Sequence, residues 1–290
     1  MTFEYYAKTY LKIKKTELKP SSYYKYETTV INKIMPSFLN REISTIKASE
    51  LRLWLLNFDK TNKTLSHYIS VLRGIFQEAI YNEDIAQNPC KYLRKFKIIK
   101  NEILPFSVNE VNQILNYVKN PNFKYYLYIA FYTGMRGGEI IGLKKDDINF
   151  KKNIIKVKRS RGRHGESSPK TQSGVRSVPI LDILKPHLKD LYNLHDNDYL
   201  FITQFKKPYN HNETFYNKFW LPIFDDLDIK YRRLYNTRHT FATMMLSNGF
   251  TTPQNLAQIL GHSNAQMVYQ VYAKYINDGK FDFKFNINLY

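Results

Sequence analysis

Five side chains in this sequence have types that suit work on a phosphodiester: Arg136, Lys170, Arg238, His262 and Tyr272. Each sits in a distinctive local string. Arg136 lies in Thr-Gly-Met-Arg-Gly-Gly-Glu, Lys170 in Pro-Lys-Thr-Gln-Ser-Gly-Val-Arg, and Arg238 in Asn-Thr-Arg-His-Thr-Phe-Ala-Thr. His262 follows Ile-Leu-Gly, and Tyr272 comes ten residues later in Val-Tyr-Ala-Lys-Tyr. Read singly, none is diagnostic, since an arginine after a glycine turn is usually a surface residue and a tyrosine on a helix is usually core. Together they are more telling. A guanidinium is a planar fork that can engage two anionic oxygens at once, so Arg136 and Arg238 could neutralise the non-bridging oxygens of a phosphate. A tyrosine hydroxyl can attack phosphorus and keep the bond energy in a phosphotyrosine, which removes any need for ATP. With two arginines meeting the charge, no metal is needed either. The sequence has no Gly-x-x-x-x-Gly-Lys-Ser/Thr loop and no carboxylate cluster suited to paired magnesium ions, which agrees.

The elements that must hold these residues fall into two stretches. In the first, Ser22 is placed to cap a helix running to Ile34, which Met35-Pro36 should end because a residue before proline avoids helical angles. Thr61 or Asn62 starts a long amphipathic helix carrying Leu65, Ile69, Leu72, Ile75, Phe76 and Ala79 at helical spacing. Asn88-Pro89 breaks it, and the basic segment 91–100 follows, with Lys91, Arg94, Lys95, Lys97 and Lys100. The second stretch opens on a capping box, Ser107-x-x-Glu110, before Val111, Ile114, Leu115 and Val118. A helix from Tyr126 to Phe131 leads into the Arg136 turn. The runs 154–157 and 175–180 read as strands. The basic, glycine-containing connection between them reads as a long hairpin or small sheet. Helices return at 237–247 and 253–260, with Thr252 as cap and Gly261 after the end, and a last one starts near Ser263 or Asn264. The tail 281–289 alternates apolar and polar residues, a strand pattern that needs an edge to pair with, in its own domain or in a neighbouring protomer.

Composition sets the broad class. The 290 residues hold 44 Lys and Arg against 25 Asp and Glu, a formal charge of +19. Residues 1–100 contribute a net +9 and residues 101–290 a net +10. Both halves are therefore expected to touch a polyanion, as in a clamp, with counterion release favouring binding. Hydrophobic residues make up 43% of the chain, including 24 Tyr and 19 Phe, enough for a core in each half. One cysteine, Cys90, allows neither an internal disulfide nor a cysteine metal cluster. No basic-then-apolar leader and no apolar run long enough to span a bilayer is present, so a cytoplasmic location without a membrane partner is expected.

The five strings, in this order over residues 131–276, resemble the tyrosine recombinase (phage integrase) family. The helical first stretch with its Asn-Pro end is similar to that family's core-DNA-binding domain. The resemblance implies a mainly α fold with a small β-sheet or hairpin in the C-terminal domain. It implies a core-DNA-binding domain over 1–97, a basic linker over 98–103, and a catalytic domain over 104–290 with a strand-like tail at 281–290. It further implies a site-specific recombinase that cleaves and rejoins duplex DNA through a 3′-phosphotyrosyl intermediate, with Tyr272 as nucleophile and Arg136, Arg238 and His262 on the phosphate. Lys170 matches the hairpin lysine that protonates the leaving 5′-oxygen. No cofactor is expected. The implied partners are a duplex core site, a second copy on each site, a tetramer in synapsis, and accessory DNA-bending proteins. Once on DNA the protein is expected to be nucleoid-associated.

One position departs from the pattern. The residue three before the second arginine is usually His or Lys, and here it is Tyr235, a poor base at neutral pH but a good hydrogen-bond donor. Either Tyr235 orients the phosphate or the proton of the nucleophile goes elsewhere; His239 is available, although a buried structural contact is its more ordinary use. Tyr269 and Tyr275 compete with Tyr272 from one turn either side. Spacing from His262 and the following Ala-Lys favour Tyr272. Glu139, one turn after Arg136, reads as a partner steadying that arginine. Arg176 fits a strand surface or a backbone contact equally well. Arg159, Arg161, Arg163, Lys95 and Lys97 read as phosphate contacts, whereas His164, His187, His195 and His211 show no ligand spacing. The Val-Tyr-Ala-Lys and Arg-His-Thr-Phe-Ala-Thr strings look more like integrases of phages and genomic islands than like dimer resolvases. The chain begins almost at the core-binding domain, so no separate arm-site domain is expected, which leaves room for a resolvase or invertase. A type IB topoisomerase uses nearly the same residues, and a regulator that has lost catalysis would not retain them.

Overall fold

The computed structural model of the chain describes residues 1–97, 102–168 and 172–276, in two units, Met1–Asn101 and Glu102–Tyr290. Lys170 and the tail 281–290 lie outside the described residues.

The first unit is helical: α1 (Phe3–Glu17), α2 (Pro20–Thr29), α3 (Met35–Phe38), α4 (Ala48–Leu56) and α5 (Asn62–Tyr81). The Thr61 hydroxyl accepts the Thr64 amide and starts α5, satisfying one of the orphan donors of a first turn. The apolar positions expected from periodicity, from Leu65 to Ala79, are buried, and they pack with Phe3, Tyr6 and Tyr10 of α1. Pro36 does not end the helix begun before it. Winding passes through a wider π-turn at Val30–Ile34 and continues into α3. There the Met35 amide reaches back five residues to the Val30 carbonyl, and Leu39 bonds Met35 at 2.9 Å. The widened turn changes the hydrogen-bond register just before the proline ring, and Pro36 falls in the first turn of a new segment, where its missing N–H costs nothing. At the start, Pro20 rather than Ser22 opens α2, again as a first-turn proline.

The second unit begins with α6 (Val108–Tyr117), α7 (Pro121–Thr133) and α8 (Gly137–Ile141). The Ser107–Glu110 capping box forms reciprocally, with Glu110 N to Ser107 Oγ at 3.2 Å and Ser107 N to Glu110 Oε2 at 2.7 Å. Strands β1 (Ile148–Asn149), β2 (Ile154–Val157) and β5 (Arg176–Pro179) make an antiparallel sheet in the order β1-β2-β5, with Ile155 opposite Val178 and Val157 opposite Arg176. The intervening connection carries its own hairpin, β3 (Ser160–Gly162) with β4 (Gly165–Ser167), turning between Gly162 and Gly165. Val175, expected in the strand, lies just before it and is exposed. The helices α9 (Lys185–Asn193), α10 (Glu213–Phe215) and α11 (Pro222–Asp226) follow, then α12 (Asn236–Ser247), α13 (Pro253–Leu260) and α14 (Gln266–Ile276). The last begins two residues later than Asn264.

Two cores serve this unit. A large aromatic one gathers Phe106, Phe123, Phe131, Phe215, Trp220 and Phe224 around α7. A smaller one joins Phe241, Leu256, Leu260, Val268 and Tyr272, fastening α12, α13 and α14 to one another. A fully buried side chain of this size contributes roughly 1.5–3 kcal/mol of transfer free energy. The smaller core is therefore what holds the helix bearing Tyr272 against the helix bearing Arg238.

Candidate active site

The chain reverses sharply at the C-terminus of α7, where Gly134 adopts φ +63°. A Cβ at Gly134 would run into the side chains of Phe241 and Leu260, so glycine is required for space as well as for backbone conformation. The turn delivers Arg136 to the start of α8. Its amide donates to Glu139 Oε2 at 2.9 Å and its Nη1 to Glu139 Oε1 at 2.9 Å, so backbone and side chain are both held by one carboxylate. The side chain keeps 40% of its surface exposed and can still meet a ligand.

Arg238, on the first turns of α12, is buried at 1% exposure. Its Nη1 donates to the Gly134 carbonyl at 2.6 Å, and its Nη2 to the Leu260 carbonyl at 2.7 Å and towards His262 Nε2 at 3.0 Å. Burial, with repulsion from Arg136 and Arg176, pulls its pKa down to about 10, against the pull of Tyr235 and Glu139, so it stays cationic at neutral pH. One side chain thus ties the Arg136 turn to the end of α13.

His262 follows Gly261, which ends α13 with φ +68°. Burial first, then the charge of Arg238 and the neighbouring arginines, brings its pKa down to about 4, so the ring is neutral. With Nε2 accepting from Arg238, the proton sits on Nδ1, and Nδ1 has no hydrogen-bond partner among the described residues. A neutral N–H donor beside two arginines fits an anionic oxygen.

Among the three tyrosines of α14, Tyr272 is the one joined to this network. Its ring is buried at 1% exposure, and its hydroxyl lies 2.7 Å from His239 Nδ1. Burial pushes the hydroxyl pKa up, and the charge of Arg238 opposes that shift. Tyr269 is exposed, and the Tyr275 hydroxyl donates to the Ile103 carbonyl at 2.9 Å. His239, adjacent to Arg238, is held neutral by burial and by that arginine, with a pKa lowered to about 4. Tyr235 is half-exposed at the start of α12, its ring edge-on to His239 with centroids 5.2 Å apart.

The remaining basic residues separate by environment. Arg159 is paired with buried Asp147. Arg161 donates to the Tyr209 carbonyl at 3.0 Å, the Tyr199 hydroxyl at 3.1 Å and Asn210 Oδ1 at 3.2 Å. Both are mostly buried ties within the fold. Arg163, in the hairpin turn, is exposed and pairs with Glu213 at 2.6 Å. Lys95 and Lys97 are exposed in the first unit. The network also contains a residue that its spacing left ambiguous, Arg176, whose guanidinium is buried against Glu139. Only the one-turn offset of Glu139 from Arg136 hinted that a carboxylate sat there to be shared.

The profile of the phage integrase family matches residues 106–277, and that of the phage integrase N-terminal SAM-like domain matches residues 2–56. The chain is 29% identical to a tyrosine recombinase XerC-like protein of Caldanaerobacter subterraneus subsp. tengcongensis, over 89% of this chain and 75% of that protein. It is 26% identical to the ICEBs1 integrase of Bacillus subtilis, over 91% and 76%. In fold it is similar to the Tn1549 transposon integrase solved with a circular intermediate DNA, with a TM-score of 0.79, 21% identity, and coverage of 94% and 95%. It is also similar to lambda integrase in a tetramer on a Holliday junction, with a TM-score of 0.76, 16% identity, and coverage of 91% and 78%.

Proposed function

Because the chain belongs to the phage integrase family and is a site-specific tyrosine recombinase, we propose that it integrates and excises a mobile element through covalent attack by Tyr272. The Tyr272 oxygen bonds to phosphorus as its proton passes to His239 Nδ1, 2.7 Å away. The 5′-oxygen departs with a proton, for which Lys170 is the donor the family resemblance implies, and a 3′-phosphotyrosyl link remains. Arg136, Arg238 and the Nδ1–H of His262 meet the charge on the non-bridging oxygens. The reverse attack by a 5′-hydroxyl rejoins the strand. Arg163, Lys95 and Lys97 are the exposed cations assigned to the DNA backbone. The protein acts as a pair on each core site and as a tetramer in synapsis, a reading supported by lambda integrase, solved as a dimer on a core site and as a tetramer on a Holliday junction.

The observation that carries this reading is the link through α12. Arg238 holds the Arg136 turn and His262, while the next residue, His239, holds the Tyr272 hydroxyl. Covalent trapping tests it. The chain, in EDTA and without ATP, is mixed with nicked duplexes from the DNA flanking its own gene and run on a denaturing gel beside Tyr272→Phe. A fragment-specific adduct that vanishes in the variant is expected. Adduct persisting in Tyr272→Phe would move the nucleophile to Tyr269 or Tyr275. Binding without adduct would overturn the reading, and adduct on every fragment would favour a topoisomerase.

A further inference from the structure

Arg176 opens strand β5, and its side chain is buried at 5% exposure although it is not part of a hydrophobic core. Its Nη1 and Nη2 donate to Glu139 Oε1 and Oε2 at 3.1 and 2.8 Å, a two-pronged pairing. Its Nε donates to the Ile259 carbonyl at 2.5 Å, and Nη1 also to the Gly174 carbonyl at 3.1 Å. Each Glu139 oxygen is therefore shared: Oε1 between Arg176 and Arg136 Nη1, and Oε2 between Arg176 and the Arg136 amide. Three residues beyond Ile259 stands His262, and a Cβ at Gly261 would lie 3.0 Å from Arg176 Nη1. One guanidinium thus touches both the carboxylate that holds Arg136 and the turn that presents His262.

From this geometry we infer that Arg176 is a positioning residue for strand cleavage, setting Arg136 through Glu139 and His262 through the end of α13. The argument is one of competition for a carboxylate. Glu139 is 4% exposed, and burial alone would favour its neutral form; the hydrogen bonds and charge of Arg176, then of Arg136, overturn that and keep it ionised. While Arg176 takes one full fork of the carboxylate, Arg136 is held by a single Nη and keeps the rest of its fork for a phosphate. Without Arg176, a buried carboxylate with one cation left would draw Arg136 into a bidentate pair and away from the ligand. A displacement of about an ångström in such a group costs on the order of 10²-fold in rate.

The inference rests on the recombinase reading, and the experiment separates the two. Wild type, Arg176→Met and Arg176→Lys are compared as full chains on the nicked duplex that gives the adduct. One set carries a normal phosphate at the mapped scissile position and the other a methylphosphonate, in which a neutral methyl replaces one charged oxygen and so relaxes the demand on Arg136. With the normal phosphate, Arg176→Met is expected to bind DNA within about twofold of wild type but to form adduct about 100-fold more slowly. Arg176→Lys, which restores charge but not the fork, should fall between them. On the methylphosphonate the gap between wild type and Arg176→Met should shrink below about tenfold. An equal deficit on both substrates would mean general loss of structure and overturn the inference, as would a wild-type rate in Arg176→Met. Absence of adduct from wild type itself would instead defeat the recombinase chemistry and take this inference with it.

Discussion

Acidification should destabilise the catalytic unit in a pH window set by the two histidines of its candidate site. His239 and His262 each have a pKa lowered from 6.5 to about 4, by burial and then by the charge of Arg238. A histidine with a depressed pKa binds its proton more tightly in the unfolded chain. Its contribution to stability is therefore complete above pH 6.5 and declines as the pH falls towards 4. Falling from pH 6.5 to about 4.5 crosses two pKa units at about 1.4 kcal/mol each, before any screening. Both rings are only half-buried, so solvent screening removes about half, leaving on the order of 1.4 kcal/mol per histidine. Together they predict a loss of roughly 2.8 kcal/mol, or a drop in melting temperature of about 6–11 °C for a unit of this size. Carboxylates such as Glu139, with a pKa lowered below 4.5, lose their contribution only at more acid pH. His67 and His187 shift in the same direction as the active-site pair, so the readout is the difference between the chain and the double variant His239→Gln, His262→Gln. Trp220 is fully buried in the second unit and Trp54 belongs to the first, so urea unfolding followed by fluorescence in a Trp54→Phe background reports the relevant unit. The double variant should start from a different stability but lose less of it between pH 6.5 and 4.5. An identical pH slope in both proteins, or stability that rises on acidification, would refute the placement of these rings.

Two further outcomes follow from the geometry. Gly261→Ala forces a side chain into φ +68° and onto Arg176, so it should cost at least about 1–2 kcal/mol of stability and slow adduct formation, measured by thermal melts and trapping; an unchanged melt would contradict the close approach. Arg163→Ala and Lys95→Ala should each reduce the slope of log affinity against log salt by about one on any duplex, whereas Arg161→Ala, which removes a mostly buried tie, should lower stability with little change in that slope. Fluorescence anisotropy over a salt series distinguishes the cases, and equal slopes for all three variants would remove Arg163 and Lys95 from the DNA backbone.

Much of this fold is written locally and could be read from the chain. The Ser107–Glu110 box, Thr61 before α5, and Thr252, Pro253 and Gly261 around α13 act within a turn, and the elements begin and end where those residues put them. Pro36 misled because its effect depends on the register before it, and a π-turn changes that register without any marker in residue type. Helices α10 and α11, three and five residues long, are too short to show a period and take their places from packing around Phe215, Trp220 and Ile223 in the large core. At the site, residue types and order carried the chemistry, and Glu139 was legible from a one-turn offset. Arg159 and Arg161 read as phosphate contacts and are instead mostly buried ties, and Arg176 was ambiguous, for a different reason. A basic residue on or beside a strand reads the same whether it faces a phosphate or a partner inside the fold, and the deciding partners, Asp147 for Arg159, Tyr209 for Arg161 and Glu139 for Arg176, are 12, 48 and 37 residues away.

The burial of Arg238 bears on how variants at this site should be interpreted. A residue that only bound phosphate would gain from exposure, because desolvating a guanidinium costs several kcal/mol unless its donors are satisfied. Here the cost is offset by two carbonyls and an imidazole, and those acceptors belong to the turns that carry Arg136 and His262. The turns lie 104 and 22 residues from Arg238, with no local signal to align them. The same cation that fixes them lowers the pKa of both neighbouring histidines and, in the proposed chemistry, attracts phosphate. Its structural and chemical effects therefore cannot be separated by deleting it. Lysine at this position would keep the charge but could not reproduce the planar span between the Gly134 and Leu260 carbonyls, so loss of activity would reflect a misaligned site as much as a missing charge. Informative substitutions in this network are those, such as at Arg176, that move one ligand-facing group while leaving the Arg238 bridge in place.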